Sequence, residues 1–363
     1  MRLSALALFP LLALALSGTS VSAAPQPDPD AKNTTPIQPR LITDFSKHDT
    51  DDPAIWLHPT DPAQSLVIGT DKDTDGALLV YGLDGKIRHE LSVRGIVRPN
   101  NVDIARGVLL NGVPTDIAVV TERFAHRLRA YRLPDMAPVD GGGIPVFEGE
   151  RARDCMGIAL YTRPGDGAVF AIVSRSDFGA PREGYLHQYR LIDDGTGTLR
   201  AVFTRAFAHW SGKKEIEALA VDQELGYLYA SDESHGIRKY HADPAHEDAG
   251  DELAVFGTTG FARDHEGISI YSLDEKTGYI IVSNQQANTF RIFPREGTAA
   301  DPHAHPLLAS VLLATLDSDG HEVTSTSLPG FPGGLLVAMS TDKTFHYYAW
   351  EDIAKAAGLK IRK

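Results

Sequence analysis

From residue 51 onward the apolar positions fall in short runs separated by clusters of Gly, Asp and Pro. The runs recur roughly every 50 to 60 residues, a spacing that marks a propeller or a solenoid. Each unit holds three pieces. The first is a short alternating strand, read at residues 52–56, 101–104, 156–161, 217–221, 266–271 and 322–326. The second is apolar almost throughout, at 65–70, 115–120, 168–173, 226–230, 278–282 and 334–338. The third carries an aromatic residue near its end, at 76–81, 126–131, 185–189, 236–240, 288–293 and 344–348. A strand that is apolar on both faces is covered on both faces, as a middle strand is between neighbouring blades. The pattern therefore predicts an all-β protein, a six-bladed β-propeller with four-stranded antiparallel blades. Fourth strands are fainter, and are expected at 86–93 and 199–204. Residues 40–45 belong to no unit and are expected to pair into the last blade and close the ring, which removes an exposed edge. A short helix is expected over 350–359.

The N-terminal 23 residues follow another pattern. Arg2 precedes an apolar run over 3–16, and Val21-Ser22-Ala23 offers a small-residue cleavage site, so residues 1–23 read as a signal peptide. Secretion or periplasmic residence is the expectation. Residues 24–39 are polar and proline-rich, and read as a disordered leader before a propeller domain spanning 40–363. No later run approaches the ~20 apolar residues of a membrane span. The single cysteine, Cys155, excludes an internal disulfide and reads as a small buried hydrophobe. The net charge of -13 argues against nucleic acid and leaves room for bound cations. The chain is expected to be a monomer acting on a small molecule.

In an antiparallel blade the start of the inner strand and the end of the second strand meet at one mouth of the central channel. Inner-strand starts bring there Asp51, Asp52, Asn100, Asn101, Cys155, Met156, Glu215, Glu217, Asp264, Glu266, Asp319 and Glu322. Ends of second strands bring Asp71, Lys72, Glu122, Arg123, Ser174, Arg175, Asp232, Glu233, Asn284, Gln285, Thr341 and Asp342. Carboxylates and amides so gathered suit a hard cation such as Ca²⁺, and three cations, Lys72, Arg123 and Arg175, suit a phosphorylated anion. The run Asp71-Lys-Asp-Thr-Asp-Gly76 opens like an EF-hand loop but has Gly82 where the bidentate Glu belongs, so it reads as a turn.

These residues resemble a known family. Asp51-Asp-Pro-Ala-Ile-Trp-Leu57, Asn100-Asn-Val-Asp103, Glu217-Ala-Leu-Ala-Val-Asp222, Asp264-His-Glu-Gly267, Ser283-Asn-Gln285 and Trp350-Glu-Asp-Ile-Ala354 are similar to motifs of the β-propeller phytases, and the likeness runs from about Asp44 to Leu359. The resemblance implies several Ca²⁺ ions at one mouth and hydrolysis of phytate, a phosphomonoester of inositol, by a calcium-bound water. It implies that Asp51, Glu217, Glu233, Asp264 and Glu266 hold the catalytic ions. Asp52, the Pro53 carbonyl and the Val102 carbonyl would hold a structural ion, with Asn101, Gln285 and Asp319 as further ligands. Lys72 and Arg123 would bind substrate phosphates. Arg175 fills a third basic place, which aligns equally with Ser176. The chain departs from the family at Met156, where a tyrosine is usual, and in the shortened run Leu316-Asp-Ser-Asp-Gly320. Two alternatives stay open: a propeller hydrolase acting on another phosphomonoester, and a calcium- and anion-binding propeller without turnover.

Overall fold

A computed structural model of the chain describes residues 26–363; the predicted signal peptide lies outside them. Six four-stranded antiparallel sheets follow one another around a central channel. Blade one is built from Thr50–Trp56, Leu66–Asp71, Gly76–Gly82 and Val93–Ile96, counted from the channel outward. Blade two is Pro99–Leu110, Val113–Glu122, Arg127–Arg132 and Ile144–Pro145. Blade three is Cys155–Thr162, Val169–Arg175, Glu183–Asp193 and Leu199–His209. Blade four is Ile216–Asp222, Tyr227–Asp232, Gly236–His241 and Ala254–Phe256. Blade five is Ile268–Ser272, Gly278–Asn284, Thr289–Pro294 and Ala309–Leu312. Blade six is His321–Thr324, Leu335–Ser340 and Thr344–Ala349, and its outer strand is Leu41–Ile42 from the other end of the chain. The ring thus closes as expected, with Leu41 opposite Tyr347.

The second strands are buried because each faces two neighbours. One apolar cluster fills each of the six gaps between blades. Between blades four and five, for instance, Tyr229 and Ile237 pack against Ile280 and Val282. The helix Trp350–Ala357 lies under blades five and six, where Trp350 stacks on Tyr271 with centroids 4.0 Å apart. It ends where Gly358 takes a left-handed φ of 69°.

Two expectations change. The fourth strand of blade one is Val93–Ile96, because residues 86–92 turn back on Val80 and Gly82 before pairing begins. Residues 26–39 are ordered along the edge of blade five instead of forming a disordered leader. Asn33 exchanges side-chain bonds of 2.9 Å with the Leu312 backbone, and Ala31 and Ile37 make parallel bridges to Ser310 and Leu313. The Asp28 side chain is buried and accepts from Ser310 Oγ at 2.7 Å and Thr289 Oγ1 at 2.9 Å, and pairs with Arg291. Backbone and side-chain polar groups dock this stretch, with Ile37 packed on the apolar cluster between blades five and six, and they cover an otherwise open sheet edge.

Candidate metal and phosphate site

The inner strands enter the ring through a repeated irregularity. Pairing slips by one residue between Thr50 and Pro53, Pro99 and Val102, Cys155 and Ile158, and Ile216 and Leu219. Two residues then stand opposite one, which is a β-bulge, and a bulge re-aims the side chains it carries. The bulged pairs are Asp51-Asp52, Asn100-Asn101, Met156-Gly157 and Glu217-Ala218. Facing them are Thr70, Thr121, Ser174 and Ser231, all hydroxyl residues. Thr70 Oγ1 accepts from the Asp52 N–H at 2.9 Å, Thr121 Oγ1 from Asn101 at 3.1 Å, and Ser174 Oγ from Gly157 at 2.8 Å. In blade five Ser283 Oγ accepts likewise from Gly267 at 2.9 Å. The hydroxyls satisfy N–H groups that the bulges withdraw from the ladder. Thr121 also donates to the Met156 carbonyl of the next blade at 2.6 Å.

The next residue on each second strand ties down the linker that enters its blade. Asp71 Oδ1 accepts from the N–H groups of His48 and Asp49, Glu122 Oε1 from Val97, Asp232 Oδ2 from Ser211, Asn284 Oδ1 from Ala262 and Ser340 Oγ from Leu316. Arg175 is the blade-three counterpart. It is fully buried, donates to the carbonyls of Tyr185, Gly184 and Ala152, and lies 4.0 Å above the Phe147 ring. It is therefore not available to a phosphate, contrary to the sequence expectation. One residue further, the N–H groups of Lys72, Arg123, Ser176, Glu233, Gln285 and Thr341 bond to the carbonyls of Asp49, Arg98, Asp154, Glu215, Asp264 and Leu316. These six are the equivalent mouth positions, and blade three supplies Ser176.

Small residues let the inner strands close. A Cβ on Gly157 would stand 1.7 Å from the Glu217 carbonyl, and one on Gly320 would stand 2.7 Å from the Asp51 carbonyl.

The mouth is polarised. Glu215, Glu217 and Glu233 offer ligand atoms within 4.8 Å of one another, as do Glu233, Asp264 and Glu266. Lys72 Nζ pairs with Asp51 Oδ1 and lies 3.3 Å from Asp319 Oδ2. Gln285 Nε2 donates to Asp319 Oδ1. Asn100 Nδ2 donates to Glu217 Oε1 at 2.6 Å and to Asn101 Oδ1 at 3.0 Å. Burial raises the pKa of Asp51, and Glu217 and Asp319 add to the rise against the pull of Lys72. Burial, then the nearby Glu217, pushes Glu233 up, and burial followed by Glu233 does the same to Glu266. Such groups are costly as free anions unless a cation joins them. Asp51 Oδ2 and Glu233 Oε1 are buried without a hydrogen-bond partner among the described residues. An all-oxygen donor set with orphaned carboxylate atoms fits a hard divalent cation.

On the opposite side of the mouth Arg98 and Arg123 flank the half-exposed Phe124, 5.7 and 5.8 Å from its centroid. The Nε of each guanidinium has no hydrogen-bond partner among the described residues.

Below the mouth a channel cavity of about 200 Å³ is lined by Asp52, Pro53, Asn101, Val102, Asp103 and Glu322 among others. Asp52 Oδ2 accepts from Val102 N at 3.0 Å, and burial raises its pKa well above the usual carboxylate range. The structural-ion group read from sequence is thus gathered in one place, set apart from the rim carboxylates. Met156 is buried and brings no polar group to the mouth. Asp71 to Gly76 forms a strand-to-strand turn, as expected.

Three residues escaped the sequence reading. Arg98 sits two residues before the bulge, where Asp264 sits in blade five. Gln286 holds Asp264 from both sides, donating to Oδ2 at 2.9 Å and accepting from its N–H at 3.0 Å. Lys214 lies in the linker before blade four and pairs with Glu233 and Asp264. Arg98 directly precedes an inner strand, and Gln286 and Lys214 each stand next to a mouth position, Gln285 and Glu215, so alignment of the blades could have found them.

Comparison with known proteins agrees with this geometry. A family model described as Phytase matches residues 1–359. A 3-phytase of Bacillus subtilis (strain 168) is 28% identical over 325 residues, covering 85% of this chain and 81% of that protein. Among solved structures, the WD40 β-propeller domain of Doa1 matches at a TM-score of 0.47 and 9% identity, over 85% of this chain and 95% of its own. That structural likeness is too low to carry an argument; the family match spans nearly the whole chain, and the protein belongs to the phytase family of phosphoric monoester hydrolases.

Proposed function

We infer that the protein hydrolyses phytate in a calcium-dependent reaction at the polarised mouth of the propeller. The observation that carries this reading is the pairing of converging carboxylates on blades four and five with the guanidinium groups of Arg98 and Arg123, whose Nε atoms have no hydrogen-bond partner among the described residues, around one opening. Phytate combines dense negative charge with several phosphate groups, and such a ligand needs cations on more than one side. Arg98 and Arg123 would grip one phosphate by bidentate bonds, and Lys72 would meet another beside Asp51. Asp51, Glu217, Glu233, Asp264 and Glu266 would hold calcium, with Asp319 and Gln285 closing the side toward blade six. Asp52 and the carbonyls of Pro53 and Val102 would hold a structural ion in the channel. When bound, calcium supplies positive charge to the phosphate oxygens and lowers the pKa of a coordinated water. Asn100 fixes Glu217 by one oxygen and leaves the other for a ligand, while Gln286 fixes Asp264.

The test is phosphate release from phytate by Glu217→Gln, which keeps the shape and removes the charge. The variant should stay folded and lose at least ~100-fold in kcat/KM, as loss of a charged group that acts on the transition state does. Activity within a factor of about 2 of the parent would overturn the assignment of this mouth.

A second reading changes only the ester. Phe124 between the two arginines puts an aromatic face beside the phosphate grip. A panel of aryl and alkyl monoesters at equal concentration separates it from phytate.

A further inference from the structure

Lys214 reaches the carboxylate cluster from the rim. Its Nζ lies 2.6 Å from Glu233 Oε2, 3.2 Å from Asp264 Oδ2 and 3.9 Å from Glu266 Oε1. These three residues are one of the sets whose ligand atoms converge within 4.8 Å. The ammonium therefore stands where a cation shared by blades four and five would bind.

Its backbone is held in place. Trp210 Nε1 donates to the Lys214 carbonyl, and the Trp210 ring packs on Tyr185 with centroids 5.2 Å apart. Ser211 bonds through both N–H and Oγ to buried Asp232. The neighbouring Lys213 turns away and donates to the Ser234 carbonyl at 2.9 Å. Two adjacent lysines thus have different fates, and only one is directed at Glu233, whose side chain is 1% exposed. A buried carboxylate needs a cation, and here the chain supplies one covalently, as an intramolecular competitor for any free ion.

We propose that Lys214 is a built-in cation that competes with a divalent ion for the Glu233–Asp264–Glu266 pocket. The idea rests on the reading of this mouth as a calcium site and adds which residue sets how much calcium that site requires. Lys214 carries one charge where calcium carries two, so metal entry must displace the ammonium. Its side chain is 40% exposed, which leaves it a path to solvent. The pocket then fills only above a threshold of free calcium.

The experiment is calorimetric titration of calcium into chelator-treated protein, comparing wild type with Lys214→Met and Lys214→Gln. Methionine keeps the aliphatic stem, and glutamine guards against a fold defect in the first variant. Both should bind calcium about tenfold more tightly at one site, or bind one additional ion. They should also need less calcium for half-maximal phosphate release. Variants that match wild type in stoichiometry and affinity would overturn the role of Lys214 while leaving the calcium site intact. Absence of binding in wild type and in both variants would overturn the calcium reading itself. One ion fewer in wild type than in the variants at low calcium, recovered as calcium is raised, is the result the proposal predicts.

Discussion

Arg123 and Arg175 separate two uses of the same side chain. Both follow a hydroxyl residue near the end of a second strand, but they stand one position apart in the repeat. Arg123 follows the linker tie Glu122, and its guanidinium has an unpartnered Nε beside Phe124. Arg175 is itself the tie, spent on three carbonyls and Phe147. Arg123→Ala should raise KM for phytate about tenfold or more with little change in melting temperature. Arg175→Ala should do the reverse, because it removes the donor to the buried carbonyls of Tyr185 and Ala152 and to half-buried Gly184, at a cost of about 3 kcal/mol or more. Steady-state kinetics and thermal melts on the two variants check this; a raised KM without loss of stability for Arg175→Ala would contradict it. Residue identity alone could not separate the two. Adjacent residues on a strand point to opposite sides, and the register that decides which side is set by the bulge. The six triplets Thr70-Asp71-Lys72, Thr121-Glu122-Arg123, Ser174-Arg175-Ser176, Ser231-Asp232-Glu233, Ser283-Asn284-Gln285 and Met339-Ser340-Thr341 hold that register in plain view. Aligned on the first member, they put Ser176 at the mouth.

At the scale of elements, the second and third strands of every blade were legible, because burial on both faces leaves a continuous apolar run. The outer strand of blade one was not, since edge strands carry little apolar signal. The stretch 26–39 was misread for a related reason. Its low apolar content looks like disorder, yet Asp28 and Asn33 dock it by hydrogen bonds and an ion pair. The bulges were illegible in any one blade. Their function is to let the backbone present two residues in succession to the mouth and channel, and the facing hydroxyl makes that affordable. Thr121→Val keeps the shape but leaves the Asn101 N–H and the Met156 carbonyl unpaired. It should destabilise the protein by ~1–3 kcal/mol in urea unfolding. A variant as stable as the parent would show that the bulge does not depend on its hydroxyl.

The molecule as a whole concentrates negative charge around one axis, and its stability should depend on pH and metal together. Burial, followed by Asp103, raises Glu322 to about 8, and burial raises Asp103 to about 6. Both pKa values exceed those of the unfolded chain, so the folded state binds more protons. Their contribution is complete below the ordinary carboxylate range and is lost as pH rises through about 6 and then about 8. Chelator-treated protein should therefore melt at progressively lower temperature from pH 5 to pH 9, estimated as a fall of about several degrees. Calcium should flatten the curve, because an ion bound only by the folded state stabilises it. A melting temperature that climbs with pH in chelator would contradict this account of the channel.

On this reading of the site, the carboxylate mouth should work only with calcium in it. The most direct test is the rate of phosphate release from phytate by the wild-type protein as free calcium is set with a chelating buffer. The rate should be negligible in excess chelator, rise to saturation with calcium, and return when calcium is restored to stripped protein. Release that continues unchanged in excess chelator, or that is absent at every calcium concentration, would contradict this reading.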